Sequence, residues 1–490
     1  MKKNNIATVI VTDIVGYSKL TGKNQELALE LLAEHDKIIL QSIKSYKGTV
    51  LVNRGDGFVA MFLNHSNAII CSMNIQNEIK NRNKFNIKSR KFNIRIGIHT
   101  GNYFQDNTEY YGECIDISSL LEPLAPSGGI LISHKLNSLI EFDSNIYTRK
   151  YGVFDLNKKN EATYIVYLNL IDWYLDKKNK LESIDEKKYI KKSHELYHNC
   201  DYSGCIKFSN SILETTKKTE LRFENLGFLC NSFISLGQLT YAKKLLNLIK
   251  NTKSNKLNLE LNAHFLKLEA HILFNKKHHS KSDLLYKKSY KLLKDTNSKY
   301  SNEILFFTFI NLFLSKNLNI DNFNDVKLNS SNDEYDFLVR CLELIVSNKE
   351  TNLNGLIKEI ENIKNKQFQS YGYWFLSKYY SQINCVDESY KYETLSQEAI
   401  KTSSYSISDP TLRDNYLKSL LIHRKILTET SAQIDDLIDI DNDLDNIFLI
   451  DKSYNEENIF NYCVNCGKAN VNSNIECESC RTNLKESYYQ

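Results

Sequence analysis

Asp13 follows an apolar, β-rich run from Ile6 to Val11, and Asp56 lies in Arg54-Gly55-Asp56-Gly57 between the runs Thr49 to Asn53 and Phe58 to Leu63. An Asp-Gly pair between two such runs signals a hairpin, because Gly takes positive φ at little cost. A carboxylate at the end of one strand and another on the turn of its neighbour can face each other. Through oxygen ligands they can hold hard divalent cations, two Mg2+ or Mn2+ per site. Two such ions can activate a hydroxyl and neutralise a triphosphate. Ile14-Val15-Gly16-Tyr17-Ser18 then turns into a helix, where free backbone N–H groups and the helix dipole favour phosphate. Taken singly, Asp13 suits a helix cap and Asp56 a turn; together they point to a metal and phosphate site.

A second cluster stands near the end of the chain. Cys463-Val464-Asn465-Cys466 and, ten residues later, Cys477-Glu478-Ser479-Cys480 carry four thiolates in two CxxC knuckles, which matches a tetrahedral Zn2+ shell. A segment this small, 459–486, has too little apolar surface to fold without the metal, so a structural zinc ribbon is expected. The other seven cysteines are scattered singly among apolar positions, as reduced thiols in a core are. The acidic stretch 431–458 reads as a linker.

The elements that must position the two aspartates follow from periodicity. Ala28, Leu32, His35, Ile39, Ile43 and Tyr46 recur every three or four residues and bury one helix face, with His35 read as a satisfied core histidine. Ala68, Cys71, Ile75 and Ile79 mark a second helix. Phe92, Ile94, Ile96 and Ile98 alternate with Asn93, Arg95, Gly97 and His99, so one buried and one polar strand face is expected, with Arg95 and His99 on the polar side. The order β-α-β-β-α-β implies an α+β, ferredoxin-like (palm-type) unit with an antiparallel sheet, over residues 1–170.

Past residue 183 the strand signals end. Tyr202 and Cys205, Leu239 and Ala242, and His279 and Ser282 hold equivalent places 37 to 40 residues apart. Together with Gly237 to Ala242 and the later Trp374, Leu376, Tyr380 and Ser389, they resemble tetratricopeptide helix-turn-helix units. An all-α helical-repeat solenoid over 183–430, binding an unknown protein partner, is the expectation. The chain is thus multidomain. With 63 Lys and Arg against 59 Asp and Glu the formal charge is +4, too small a surplus to imply a nucleic-acid partner. No run of 18 or more apolar residues occurs, so no membrane span is expected, and a cytoplasmic location follows from the free thiols and the absence of a signal-peptide pattern.

Thr12 to Ser18, Gly55-Asp56-Gly57-Phe58, Ile94-Arg95-Ile96-Gly97-Ile98-His99-Thr100-Gly101 and Tyr111-Gly112, in that order, resemble the catalytic domain of class III adenylate/guanylate cyclases. The resemblance spans about residues 5 to 169. It implies that Asp13 and Asp56, with the main chain of Ile14, bind the metals, and that a nucleoside triphosphate lies between two antiparallel protomers. The 3′-hydroxyl then attacks the α-phosphorus and pyrophosphate leaves. It further implies that Gly16, Tyr17, Ser18 and Arg95 lie near the phosphates, with Lys158 or Lys159 near the terminal ones although Asn157 is the best-aligned residue, and Glu109 near the base. Where the family has an Asn and an Arg one helical turn apart, this chain has Asp116 and Leu120; where adenylate-type enzymes have Lys, it has Val52. The expectation is a nucleotidyl cyclase preferring ATP, with low activity as a homodimer, or paired with a complementary cyclase chain. The alternative is a degenerate nucleotide-binding regulator or scaffold acting through its helices.

Overall fold

The computed structural model describes residues 5–428, with short breaks at 108, 177, 180–183, 252–258, 295, 297, 299, 324–333 and 348–352, and the segments 460–462 and 469–471. Cys463, Cys466, Cys477 and Cys480 lie outside the described residues. The chain divides into two units, Met1–Ile426 and Leu427–Gln490. In the second, Phe460–Tyr462 pairs antiparallel with Ala469–Val471.

The first unit begins with β1 (Asn5–Ile14), the short α1 (Tyr17–Thr21), α2 (Gln25–Ser45), the hairpin β2 (Thr49–Asn53) and β3 (Phe58–Phe62), and α3 (His65–Lys84). It continues through β4 (Ile94–Asp106), β5 (Glu109–Tyr111), α4 (Glu113–Leu124), β6 (Ile130–Ser133), α5 (His134–Leu139), β7 (Tyr147–Leu156) and β8 (Lys159–Tyr167). The strands lie in the order β2-β3-β1-β4-β6-β8-β7, with β5 paired to β4. All pairings are antiparallel except β4 with β6, which is parallel, so the wholly antiparallel sheet expected from sequence becomes a mixed one. The cause is α4, which crosses over from β5 to bring β6 back in the direction of β4.

Helices cover both faces of the sheet. Ile10, Ile96 and Ile98 join Ile39, Ile43, Ile75 and Ile79 in a core beneath α2 and α3. On the other face Val9, Val11 and Val59 meet Cys114 of α4. This second layer overturns the polar face expected of β4. His99 is buried, its Nδ1 2.6 Å from Ser133 Oγ, because α4 lies directly on the strand. A Cβ at Gly97 would stand 2.3 Å from the Glu122 nitrogen, so glycine there is what lets the helix backbone approach. The α2 face buries Leu31 where Leu32 was expected, while Ala28, His35, Ile39 and Ile43 fall as read.

After α6 (Leu170–Leu175), helices follow one another as α7 (Glu186–His198), α8 (Tyr202–Thr215), α9 (Thr219–Ser235), α10 (Leu239–Asn251), α11 (Leu259–Asn275), α12 (His279–Leu293) and α13 (Ser301–Leu314). Next come α14 (Glu334–Ser347), α15 (Leu353–Asn362), α16 (Lys366–Gln382), α17 (Val386–Ser404), α18 (Pro410–Ser419) and α19 (Leu421–Thr428). Tyr202, Leu239 and His279 each open the second helix of a pair. Cys205, Ala242 and Ser282, three positions on, are each 0 % exposed, small residues where helix backbones close on one another. In a simple solenoid each repeat touches only its neighbours. Here the late helices return to the early ones: Asn275 Oδ1 accepts from the Leu421 N–H at 2.9 Å, and Tyr202 Oη donates to Gln367 Oε1 at 3.2 Å.

The helical region grips the outer strand of the sheet. Arg149 of β7, 1 % exposed, makes a paired contact with Glu214 of α8 at 2.7 and 2.9 Å and donates to the Trp173 carbonyl at 3.1 Å. Lys207 of α8 donates to the carbonyls of Glu141 and Asp143 at 3.1 and 2.6 Å, and burial pulls its ammonium pKa down to about 8. Removing one partner of a buried pair strands the other charge, at a cost of about 3–5 kcal/mol. Arg149→Ala is therefore expected to lower the unfolding free energy of the full chain by an amount near that range, read as a lower urea midpoint, and Arg149→Lys to recover only part of it, since an ammonium cannot reproduce the forked contact. A midpoint unchanged in both variants would contradict this account of the junction.

Candidate functional site

The turn Arg54–Gly57 is folded onto the end of β1. Ile14 N–H donates to the Asp56 carbonyl at 3.0 Å, and Phe58 N–H donates to Thr12 Oγ1 at 3.0 Å. The turn itself closes through Arg54 N–H to the Gly57 carbonyl at 2.8 Å, with Gly55 at φ 88. A Cβ at Gly57 would lie 2.1 Å from the Thr12 carbonyl oxygen, so only glycine allows the hairpin to press this close. Asp13 and Asp56 are thereby carried to one end of the sheet by backbone contacts on either side of each, and both remain partly open to solvent.

Arg95 stands opposite Asp13 in the β1–β4 register. Its Nη2 donates to Asp13 Oδ2 at 2.7 Å and its Nη1 to the Pro123 carbonyl at 3.3 Å. Its Nε lies 3.1 Å from Glu122 Oε1, a charge contact without hydrogen-bond alignment. Burial on the sheet-facing side of α4, reinforced by the Asp13 charge, raises the Glu122 carboxyl to about 7, against the opposing pull of Arg95 and Arg54. The corner therefore holds three carboxyls, Asp13, Asp56 and Glu122, against two guanidiniums, Arg95 and Arg54.

This arrangement fits a divalent ion. Arg95 engages one oxygen of Asp13, leaving Oδ1, and Asp56 forms no ion pair among the described residues. Among the described residues no group of three or more His, Cys, Asp or Glu is placed to hold a metal by protein side chains alone. Two carboxylates plus main-chain oxygen leave coordination positions for oxygens brought by a ligand. Beyond Asp13, Gly16 takes φ 77 at the head of α1, and Val15 N–H is bound to the Asn93 carbonyl at 2.9 Å. The N–H groups of Gly16, Tyr17 and Ser18 have no acceptor among the described residues.

Four residues singled out from sequence are not brought to this corner within one chain. Asp116 and Leu120 lie one turn apart on the solvent face of α4. Glu109 pairs with Asp106 at the far end of β4, roughly 35 Å from Arg95 at ~3.3 Å per residue, and its Oε2 accepts from Tyr111 Oη at 3.0 Å. Lys158 occupies the β7–β8 turn, φ 66, and the register through β8 and β6 sets it toward that same far end. His35 is buried beside Phe58 and Phe92; Nδ1 contacts Asp36 Oδ1 at 2.9 Å, while Nε2 has no partner, so it is only half satisfied. Glu122 and Arg54 were missed. The available signals were the glycine at 97, which admits a helix, and the placement of Arg54 two residues from Asp56.

Residues 1–168 match the family model described as "Adenylate and Guanylate cyclase catalytic domain". "Putative adenylate cyclase 3" of Rhizobium meliloti (strain 1021) is 24 % identical over 145 residues, 29 % of this chain and 25 % of that protein. "Serine/threonine-protein kinase pkn2" of Myxococcus xanthus is 25 % identical over 138 residues, 28 % of this chain and 16 % of that protein. The chain thus spans a quarter or less of the length of these two relatives. A solved structure, the adenylyl cyclase CyaB from P. aeruginosa, shares 23 % identity, covering 34 % of this chain and 96 % of that one, with a TM-score of 0.31.

The Glu122 environment has a measurable consequence in the metal-free protein. A carboxyl raised to about 7 from its ordinary 4.5 holds its proton more tightly folded than unfolded. Its contribution is present below about pH 4.5 and is lost as pH rises through 7. Glu122→Gln is expected to remove this part of the pH dependence, so that the difference in melting temperature, variant minus wild type, grows in the variant's favour between pH 5 and 8. A difference that stays flat with pH would refute the assignment.

Proposed function

We propose that the cyclase-type domain of residues 1–168 converts a nucleoside triphosphate, preferably ATP, to a 3′,5′-cyclic nucleotide and pyrophosphate. The observation that carries this reading is the juxtaposition of Asp13 and Asp56 at one sheet corner, beside Arg95 and the N–H groups of Gly16 to Ser18, which have no acceptor among the described residues. Asp13, Asp56 and the main chain of Ile14 would hold two Mg2+ or Mn2+ ions. Bound there, the metals supply a Lewis acid and lower the pKa of the attacking hydroxyl.

The chain's own groups do the rest. Gly16, Tyr17 and Ser18 orient phosphate oxygens through backbone N–H groups. Arg95, held by Glu122 and the Pro123 carbonyl, places a fixed positive charge beside Asp13. Glu109 offers an acceptor to an exocyclic amine of the base. The separation of Glu109 and Lys158 from Asp13 supports a site completed by a second chain, either a copy of this one or a complementary cyclase chain. In such a pair α4 would present Asp116 and Leu120 where the family presents Asn and Arg. Loss of one preorganised donor on a developing oxyanion typically costs about 10²- to 10³-fold in rate, so the homodimer turns over slowly. The same exposed Leu120 favours a second reading, a nucleotide-holding regulator that signals through its helices.

Incubating the full chain with each of the four triphosphates and Mg2+ or Mn2+ tests this. Slow cyclic product is expected with ATP, abolished by Asp13→Ala or Asp56→Ala. Asp116→Asn combined with Leu120→Arg is expected to raise turnover about 10²-fold or more. Tight nucleotide binding with no product in any variant would discard the enzyme in favour of the regulator.

A further inference from the structure

The turn between α7 and α8 faces the start of α16 and the end of α17 across a cavity of about 360 Å3. A 150 Å3 cavity accommodates benzene, so by proportion this one has room for roughly a dozen non-hydrogen atoms. Its lining mixes apolar surface, from Ile407 and the rings of Tyr202 and Tyr416, with polar side chains. Lys364 and Lys366, both exposed, line it with Asn365, while the hydroxyls of Thr402, Ser403 and Ser406, also in the lining, already donate to the carbonyls of Glu398, Ile400 and Ser403. Glu334 is the one carboxylate in the lining, which leaves a surplus of one positive charge. Neither lysine is in an ion pair among the described residues; Lys366 Nζ donates to Gln369 Oε1 at 2.8 Å. The first N–H groups of α16 are already taken by Asn365 Oδ1, at 3.0 and 3.5 Å, so recognition of an anion falls to the two ammonium groups and not to the helix end.

The back wall decides which way round a ligand sits. Tyr202 Oη donates to Gln367 Oε1 at 3.2 Å, and Asn365 Nδ2 lies 3.0 Å from Cys200 Sγ, bonds that join segments 165 residues apart. Behind Tyr202 and Gln367 is a chamber of about 60 Å3, room for a few waters. It contains Glu303, whose carboxylate is held ionised by Lys267 at 2.6 Å and contacts His271 at 3.3 Å. That carboxylate excludes a second negative charge from the inner chamber. We propose that the outer cavity binds a small organic oxyanion, a phosphate- or carboxylate-bearing molecule of about a dozen non-hydrogen atoms. Its charge rests at Lys364 and Lys366 and its uncharged end points toward Tyr202 and Gln367.

The position of the cavity gives its occupation a consequence. A ligand there ties the α7–α8 turn to α16, and α8 carries the Lys207 and Glu214 contacts that hold the loop after α5 and strand β7. Binding itself stands independently of the cyclase reading; only an effect on turnover rests on that reading.

Calorimetric titration of the full chain with citrate and with glucose 6-phosphate, and with uncharged glucose as control, tests the proposal. One saturable site per chain is expected for at least one charged probe, and the stronger of the two identifies carboxylate or phosphate as the preferred oxyanion. Lys364→Glu with Lys366→Glu, both exposed positions, should weaken that binding at least tenfold. Lys281→Glu, outside the cavity, should leave it unchanged, and Ser406→Trp, which fills the mouth, should abolish it. Hydrogen exchange should slow in residues 197–203 on binding. No saturable site for either charged probe, equal binding of glucose, or binding indifferent to the double reversal would overturn the assignment. Binding without any cyclase activity would leave the cavity standing and remove the enzyme; activity without binding would do the reverse.

Discussion

The contact on which the site depends is the seating of a four-residue turn on the end of a neighbouring strand. Gly57 approaches the Thr12 carbonyl where any side chain would collide, and the Ile14 N–H and Thr12 hydroxyl bind the turn backbone from either side of Asp13. Two like charges are brought together by groups that carry none. The surrounding hydrogen bonds fix the backbone on both sides of Asp13, and Arg95 stands across the strand from it. The corner is thus held by neutral groups and leaves both aspartates partly open to solvent, an arrangement that suits a hard divalent ion.

Arg95 has two claims on it. Asp13 holds one nitrogen in a hydrogen bond and Glu122 faces another at 3.1 Å. Glu122 reaches the corner only because α4 lies on Gly97. The helix therefore supports the corner with its inner face and leaves its outer face to solvent. Asp116 and Leu120 point outward while Ser118, donating to the Val9 carbonyl at 2.8 Å, and Leu121 point in. A displacement of α4 would act on Arg95 through Glu122, two residues beyond Leu120.

The sequence made the aspartate pair and the element order legible because each depends on local signals: a β-rich run, an Asp-Gly turn and helical spacing. The parallel β4–β6 pairing and the burial of His99 were not legible. Both result from α4 crossing the sheet, a contact between distant segments whose trace in the sequence is one glycine at an alternating strand position. His35 shows the same limit in reverse. Its place on an apolar helix face was readable, but the unmet Nε2 depends on which rings, Phe58 and Phe92, close over it. In the helical region the positions spaced 37 to 40 residues apart fall at the starts of α8, α10 and α12. The return of α19 to Asn275 left no periodic mark, because a hydrogen bond across 146 residues has no period.

The junction between sheet and helices connects these levels. β7 is an outer strand, and an exposed outer strand invites pairing with another chain. In this protein its first half is covered: Tyr147 packs on Trp173 and Arg149 is locked to Glu214. Beyond Gly152 alternate residues are exposed as the strand runs out to the Lys158 turn. The strand is thus closed to edge-to-edge pairing where α8 and Trp173 meet it, and open only toward the turn that carries Lys158, so the helices protect the half of the edge that lies nearest to them.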